Sequence, residues 1–198
     1  MKKLERRGRR IGLLGGSFNP AHEGHLHISR LALRRLRLDQ VWWLVSPQNP
    51  LKPEDGMAAF AERFASARRV ARGDRRITVS DAERRLGTRF TADTLAVLTR
   101  RYRRHRFVWI MGADNLVQIP RWQRWTSIFH SVPVAVFARP SYSFRALSAK
   151  AARRFRRHRV AARNAGRLAG MTPPAWVFLW TRTHAQSATR IRGGAAGG

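Results

Sequence analysis

Gly15-Gly16-Ser17-Phe18-Asn19-Pro20-Ala21-His22-Glu23-Gly24-His25 is the stretch on which the reading of this chain turns. Just before it, Ile11-Gly12-Leu13-Leu14 is short and apolar, as a buried strand requires. Just after it, Leu26, Ile28, Leu31, Ala32, Leu33 and Leu36 mix with Arg30, Arg34, Arg35 and Arg37 at a spacing nearer to helical than to extended. A strand, a glycine-rich turn and a helix start are the parts of a phosphate site. Glycines let the backbone approach an anion, and the unpaired N–H groups of a first helical turn point at it. Gly15, Gly16, Ser17 and Phe18 make the turn. His22 and His25, three apart at the helix opening, share one face, where imidazoles can donate to phosphoryl oxygens beside the positive end of the helix dipole. A histidine pair alone more often marks an incidental turn residue and a partly buried one. The strand and the two glycines reverse that weighting.

Outward from this stretch, Val41-Trp42-Trp43-Leu44-Val45 predicts a second strand, closed by a loop at 46–53 that holds three prolines. The spacing of Met57, Phe60, Ala61, Phe64, Ala67 and Val70 predicts a helix over 57–71. Further strands are predicted at 77–79, 106–111, 132–138 (Pro133 near its start, where a missing N–H does least harm) and 176–180. Thr91 is predicted to cap a helix running through Tyr102. The alanine- and arginine-rich residues 144–169 read as helical at least as far as Val160. Apolar strands alternating with helices predict an α/β, Rossmann-like, doubly wound parallel sheet with helices on both faces. Ligands in such sheets sit at the carboxyl ends of the strands. One domain over residues 1–192 is expected, with a disordered Gly/Ala-rich tail at 193–198.

With 43% hydrophobic residues the chain has the makings of a globular core. Its net charge of +29 is extreme, and 36 of its 40 basic residues are arginine. Such a field attracts polyanions. A nucleic-acid surface and an arginine-biased set of solvated helix faces both account for it. The wide scatter of Arg34, Arg68, Arg85, Arg103, Arg153 and Arg167 along the chain favours the second. The absence of cysteine excludes disulfides, thiolate nucleophiles and cysteine-ligated metals. No run approaches the ~18 apolar residues of a membrane span, and a cytoplasmic location is expected.

Other segments carry weaker signals. Gly112 and Asp114, after a strand, offer a carboxylate to a ribose or base edge, although alone they read as a turn. Trp122 offers a flat face to an aromatic ring, although with Trp125 it also fits a core. Ser187, Thr189, Arg190 and Arg192 put two hydroxyls and two guanidiniums together, as a polyphosphate tail would require.

Gly-Gly-Ser-Phe-Asn-Pro-x-His-x-Gly-His resembles the signature of the nucleotidyltransferases with an H-x-G-H motif, and most of all the bacterial nicotinate-mononucleotide adenylyltransferases. The resemblance runs in order across nearly the whole chain. It implies an enzyme of NAD biosynthesis that joins ATP and nicotinate mononucleotide, giving nicotinate adenine dinucleotide and pyrophosphate. It further implies ATP contacts from Gly15, Gly16, Ser17, Phe18, His22, His25, Gly112, Asp114, Ser187, Thr189 and Arg192, with His22, His25 and Arg192 catalytic. For the mononucleotide it implies Asn49 and Lys52 in the proline-rich loop, Thr91 and Ala92 at the nicotinate ring, Trp122 stacked on the pyridine, and Arg139. Residues 91–95 and 120–122 single out the nicotinate branch. Mg²⁺ is implied on the ATP phosphates, without a protein metal cage. The implied partners are the two nucleotides, with neither a specific nucleic acid nor a membrane; homo-oligomerisation stays open. Two departures stand out: a loop between Pro47 and Lys52 shorter than the family's, and glycines where the family has a C-terminal helix. The alternatives are a sister enzyme using nicotinamide mononucleotide or phosphopantetheine, and a basic nucleic-acid-binding module.

Overall fold

A computed structural model of the chain describes residues 8–47, 56–139 and 142–180. Seven strands form one sheet: β1 (Arg10–Gly16), β2 (Gln40–Val45), β3 (Ile77–Ser80), β4 (Arg106–Gly112), β5 (Val134–Phe137), β6 (Arg159–Val160) and β7 (Trp176–Leu179). Their order is β3-β2-β1-β4-β5-β7-β6, and every neighbouring pair is parallel.

The period-2 alternation of each strand feeds two cores. On one face Ile11, Leu13, Leu44, Phe107, Trp109, Met111, Val134, Val136, Trp176 and Phe178 are buried together. They pack against α4 (Thr91–Arg101), α5 (Ala113–Gln118), α6 (Trp125–Ser131), α7 (Ser143–Leu147) and α8 (Lys150–Arg154). On the other face Leu14, Val41, Trp43, Val45, Val108, Ile110, Ala135, Phe137, Val177 and Leu179 are buried against α1 (Glu23–Arg35), α2 (Phe60–Ala71) and a 3₁₀ segment, Ala162–Gly170. Strands buried on both faces read as continuous apolar runs, which is why they were legible in the sequence. The doubly wound architecture is therefore as expected. A short helix, α3 (Ala82–Leu86), follows β3.

Three expectations are corrected. Thr91 does not cap α4. It is the first helical residue, and Phe90 occupies the cap position without a side-chain bond. The helix expected over 57–71 begins only at Phe60. Residues 144–169 do not form a long helix. They break into α7, α8, a 3₁₀ turn at Arg156–His158, the two-residue edge strand β6 and the 3₁₀ segment. Packing overrides helix propensity there. The Phe155 ring stacks on Phe129 at 4.3 Å, and its carbonyl accepts a hydrogen bond from Trp176 Nε1 at 2.8 Å. The chain is thereby turned towards β7 before a helix can propagate.

Candidate active site

Strand order reverses between β1 and β4, and in an open parallel sheet the crevice at such a switch point, beyond the carboxyl ends, receives the ligand. Gly15 and Gly16 close β1 there, and Gly112 closes β4. Both ends need glycine for space. A Cβ on Gly15 would run into the Trp109 ring, and one on Gly112 would meet the Asp114 carboxylate and the Arg139 guanidinium. Beyond β1 the chain turns through Phe18, whose φ of 48° lies in the left-handed region. Phe18 is buried, stacked on Trp43 at 5.1 Å.

The two histidines open α1 as an unusual capping box. His22 is the N-cap, and its Nδ1 accepts a hydrogen bond from the Gly24 N–H at 3.1 Å. His25, three residues on, accepts from the His22 N–H through its own Nδ1 at 3.2 Å. The roles that Ser and Glu play elsewhere are filled by imidazoles. An Nδ1 that accepts carries no proton, so in each neutral ring the proton is on Nε2. The rings lie 3.9 Å apart, and the His25 ring packs on Phe18 at 4.7 Å. Below them the His25 carbonyl accepts from Ser29 Oγ at 2.8 Å, and Ser29 Oγ accepts from Trp43 Nε1 at 2.7 Å. That buried chain ties α1 to β2 and fixes the helix start relative to the sheet.

Across the crevice, Gly112 caps α5 and Asp114 lies in its first turn, so the Gly-x-Asp is a helix opening rather than a plain turn. Asp114 Oδ1 pairs with Arg139 Nε at 3.3 Å. Arg139 follows β5, and its backbone is held by Ser143, whose Oγ accepts from the Arg139 N–H and donates to its carbonyl. The expected residues Gly112, Asp114 and Arg139 therefore meet at one point. On the α4 side, Thr91 and Ala92 occupy the first turn, where helical N–H groups lack intrahelical partners. An ion pair from Asp93 to Arg124 links this turn to the segment after Trp122. Trp122 is half-buried and edge-on to Trp109 at 6.5 Å. Trp125, by contrast, packs on Phe129 and Phe155. Trp109 Nε1 is buried without a hydrogen-bond partner among the described residues.

Asn49, Lys52, Ser187, Thr189 and Arg192 lie outside the described residues. The other sequence-selected positions gather at the carboxyl ends of β1, β4 and β5 and at the starts of α1, α4 and α5, except Trp122, which lies between α5 and α6.

Sequence reasoning missed two residues that hold this rim together. Arg63 on α2 is only 2% exposed. Its guanidinium donates to the carbonyls of Ala58 (2.9 Å), Ser17 (2.6 Å), Ser46 (2.8 Å) and Pro47 (2.7 Å). One side chain thus clamps the glycine turn after β1 to the loop leaving β2, and burial pushes its pKa below the ordinary arginine value. Glu83 on α3 is buried as well. Desolvation raises its pKa to about 7, against the opposing effect of a hydrogen bond with Ser46. The available signal for Arg63 was a charge three residues from Phe60, on the apolar stripe of a helix. For Glu83 there was none.

Comparison with known proteins places these features in a family. Residues 13–194 match the family described as cytidylyltransferase-like. A protein of Parvibaculum lavamentivorans named probable nicotinate-nucleotide adenylyltransferase is 57% identical over 185 residues, covering 93% of this chain and 92% of that one. A protein of Caulobacter sp. with the same name is 53% identical over 184 residues, covering 93% and 97%. Among solved structures, Plasmodium falciparum nicotinic acid mononucleotide adenylyltransferase complexed with NaAD superposes with a TM-score of 0.69. That likeness spans 93% of this chain and 83% of the other at 14% identity, so it speaks to the fold.

Proposed function

The chain belongs to the cytidylyltransferase-like family, and from that membership we propose that it is a nicotinate-nucleotide adenylyltransferase. It transfers the adenylyl group of ATP to the 5′-phosphate of nicotinate mononucleotide and releases pyrophosphate. The observation that carries the reading is the histidine pair opening α1 at the switch point, each ring with its Nδ1 engaged by a backbone N–H.

The acceptor phosphate is already an anionic nucleophile, so no general base or covalent intermediate is required. Its oxygen bonds to the α-phosphorus as the bond to the α–β bridging oxygen breaks, and pyrophosphate departs. Catalysis then rests on holding two anions in line and stabilising charge on the α-phosphoryl oxygens. In this reading His22 and His25 donate to those oxygens through Nε2–H, beside the positive end of α1. Gly15, Gly16, Ser17 and Phe18 line the phosphates, and Ser187, Thr189 and Arg192 hold the β- and γ-phosphates. Gly112 and Asp114 face the adenosine, with Arg139 ordering the carboxylate. Trp122 stacks on the pyridine, and the first N–H groups of α4 at Thr91 and Ala92 receive the nicotinate carboxylate. Asn49 and Lys52 complete the mononucleotide site.

Among the described residues no three His, Asp or Glu side chains converge as a metal site. In this reading Mg²⁺, an ion that keeps most of its water, would be held on the phosphate oxygens of ATP. When bound it supplies neutralising charge on the triphosphate. Pyrophosphate release should be measured with ATP and three acceptors: nicotinate mononucleotide, nicotinamide mononucleotide and phosphopantetheine. A preference for the acid of about tenfold or more in kcat/KM is expected, from hydrogen bonds to a charged group worth roughly 1.5–3 kcal/mol. Equal or better turnover of phosphopantetheine would reassign the acceptor.

A further inference from the structure

From the amino-terminal edge of the sheet, opposite the catalytic crevice, we infer a second binding surface, one that takes the sugar–phosphate backbone of double-stranded nucleic acid without reading its sequence. In an all-parallel sheet every strand begins on the same edge, so residues distant in sequence line up there. Arg76 immediately precedes β3. Arg10 on β1 stands in register beside Arg106 on β4. Arg159 opens β6 at the far end. Six inter-strand steps of ~4.8 Å make this row roughly 29 Å long, about eight base pairs of duplex. Arg103, before β4, and Arg156-Arg157, before β6, are exposed and extend it. Scatter along the sequence thus becomes a line in space.

Of the four arginines in this row, Arg106 and Arg159 have no ion pair among the described residues. Asp39 and Asp74 sit at the β2–β3 end and are already paired, with Arg10 at 3.2 Å and Arg76 at 2.9 Å. Towards β6, Arg156, Arg157 and Arg159 have no ion pair among the described residues. Asp114 is the last carboxylate in the sequence, and the 84 residues after it carry 14 arginines and Lys150. Guanidinium forks match phosphate oxygens bidentately, a geometry that ammonium groups lack. An anionic membrane is the weaker fit, because interfacial binding also needs apolar side chains to insert. Among the described residues the exposed large hydrophobics, Tyr142, Phe144 and Trp180, are elsewhere. Trp180 follows the carboxyl end of β7 and packs on Phe144 at 5.4 Å.

The test is fluorescence anisotropy of a labelled DNA duplex of about 24 base pairs, titrated with the full chain across a range of salt, with MgATP present at about 1 mM. Micromolar binding is expected, equal for two unrelated sequences, with log K falling against log salt at a slope of roughly −4. The triple change Arg103→Glu, Arg156→Glu, Arg157→Glu should weaken it by about tenfold or more. A matched change on the opposite side, Arg85→Glu, Arg89→Glu, Arg145→Glu, alters the net charge equally and should cost less than about threefold. Retained circular dichroism and ATP turnover in the first variant exclude misfolding. Equal losses in both variants, displacement of the duplex by MgATP, or tight binding only to phosphatidylserine vesicles would overturn the proposal.

Discussion

A single imidazole at the head of α1 has two duties, and they are separable. His22 caps a helix through Nδ1 and, in the proposed mechanism, stabilises a phosphoryl group through Nε2. Asparagine is a good N-cap but lacks a donor at the Nε2 position. His22→Asn should therefore keep thermal stability within about 1 kcal/mol while lowering kcat by ~10². A parallel loss of stability and activity would mean that capping was its whole contribution. His25→Ala should lower kcat by a similar factor with little change in either Michaelis constant. Trp122 makes a complementary case, since its half-buried ring suits both stacking and packing. Trp122→Ala should raise KM for the mononucleotide and not for ATP, and Trp122→Phe should recover most of the loss, because a π-face is what the contact uses. A rise in both constants with earlier melting would assign the ring to the core.

At the scale of elements, the rim of the crevice depends on groups that no local motif reveals. Arg63 on α2 supplies four hydrogen bonds to loop carbonyls, two of them, at Ser46 and Pro47, from the chain leaving β2. Arg63→Met would strand those acceptors and should cost about 3 kcal/mol or more in urea unfolding, since charged hydrogen bonds are worth ~1.5–3 kcal/mol each. A loss below about 1 kcal/mol would show that water replaces the clamp. Glu83 gives the fold a pH dependence of definite sign. Its folded pKa, raised from 4.5 to about 7, means that the native state binds the proton more tightly than the unfolded chain. Below pH 4.5 the group is protonated in both states and costs nothing. As pH rises from 4.5 to 7 the unfolded state ionises first, and stability falls by about 3 kcal/mol. Relative to Glu83→Gln, the parent's urea midpoint should drop across this window. A parent profile that rises there relative to the variant would contradict the burial argument.

The same scale shows where sequence reading succeeds and where it stops. The runs at β1, β2, β4, β5 and β7 were legible because both faces of each strand are covered, and the glycine-histidine stretch because each residue type there has one dominant use. Residues 144–169 were misread because alanine and arginine favour helix locally, whereas the stacking of Phe155 on Phe129 is a contact across 26 positions. Arg63 and Glu83 were silent for a related reason. Their partners, Ser17 and Ser46, reach them only after the sheet has formed.

At the scale of the whole molecule, one parallel sheet gives the chain two unlike ends. The carboxyl ends of the strands gather glycines, helix starts and the histidine pair, and the amino ends gather arginines. No helix among the described residues is long and apolar enough to cross a membrane. The central claim, that the carboxyl end transfers adenylyl and not phosphoryl or pyrophosphoryl groups, is open to a single measurement. The chain should be incubated with nicotinate mononucleotide and ATP labelled with ³²P at either the α- or the γ-position, and the products separated. The account expects all transferred α-label in nicotinate adenine dinucleotide and all γ-label in pyrophosphate, in equal amounts. Label from the γ-position in the pyridine product, or α-label accumulating only as ADP or AMP, would contradict it.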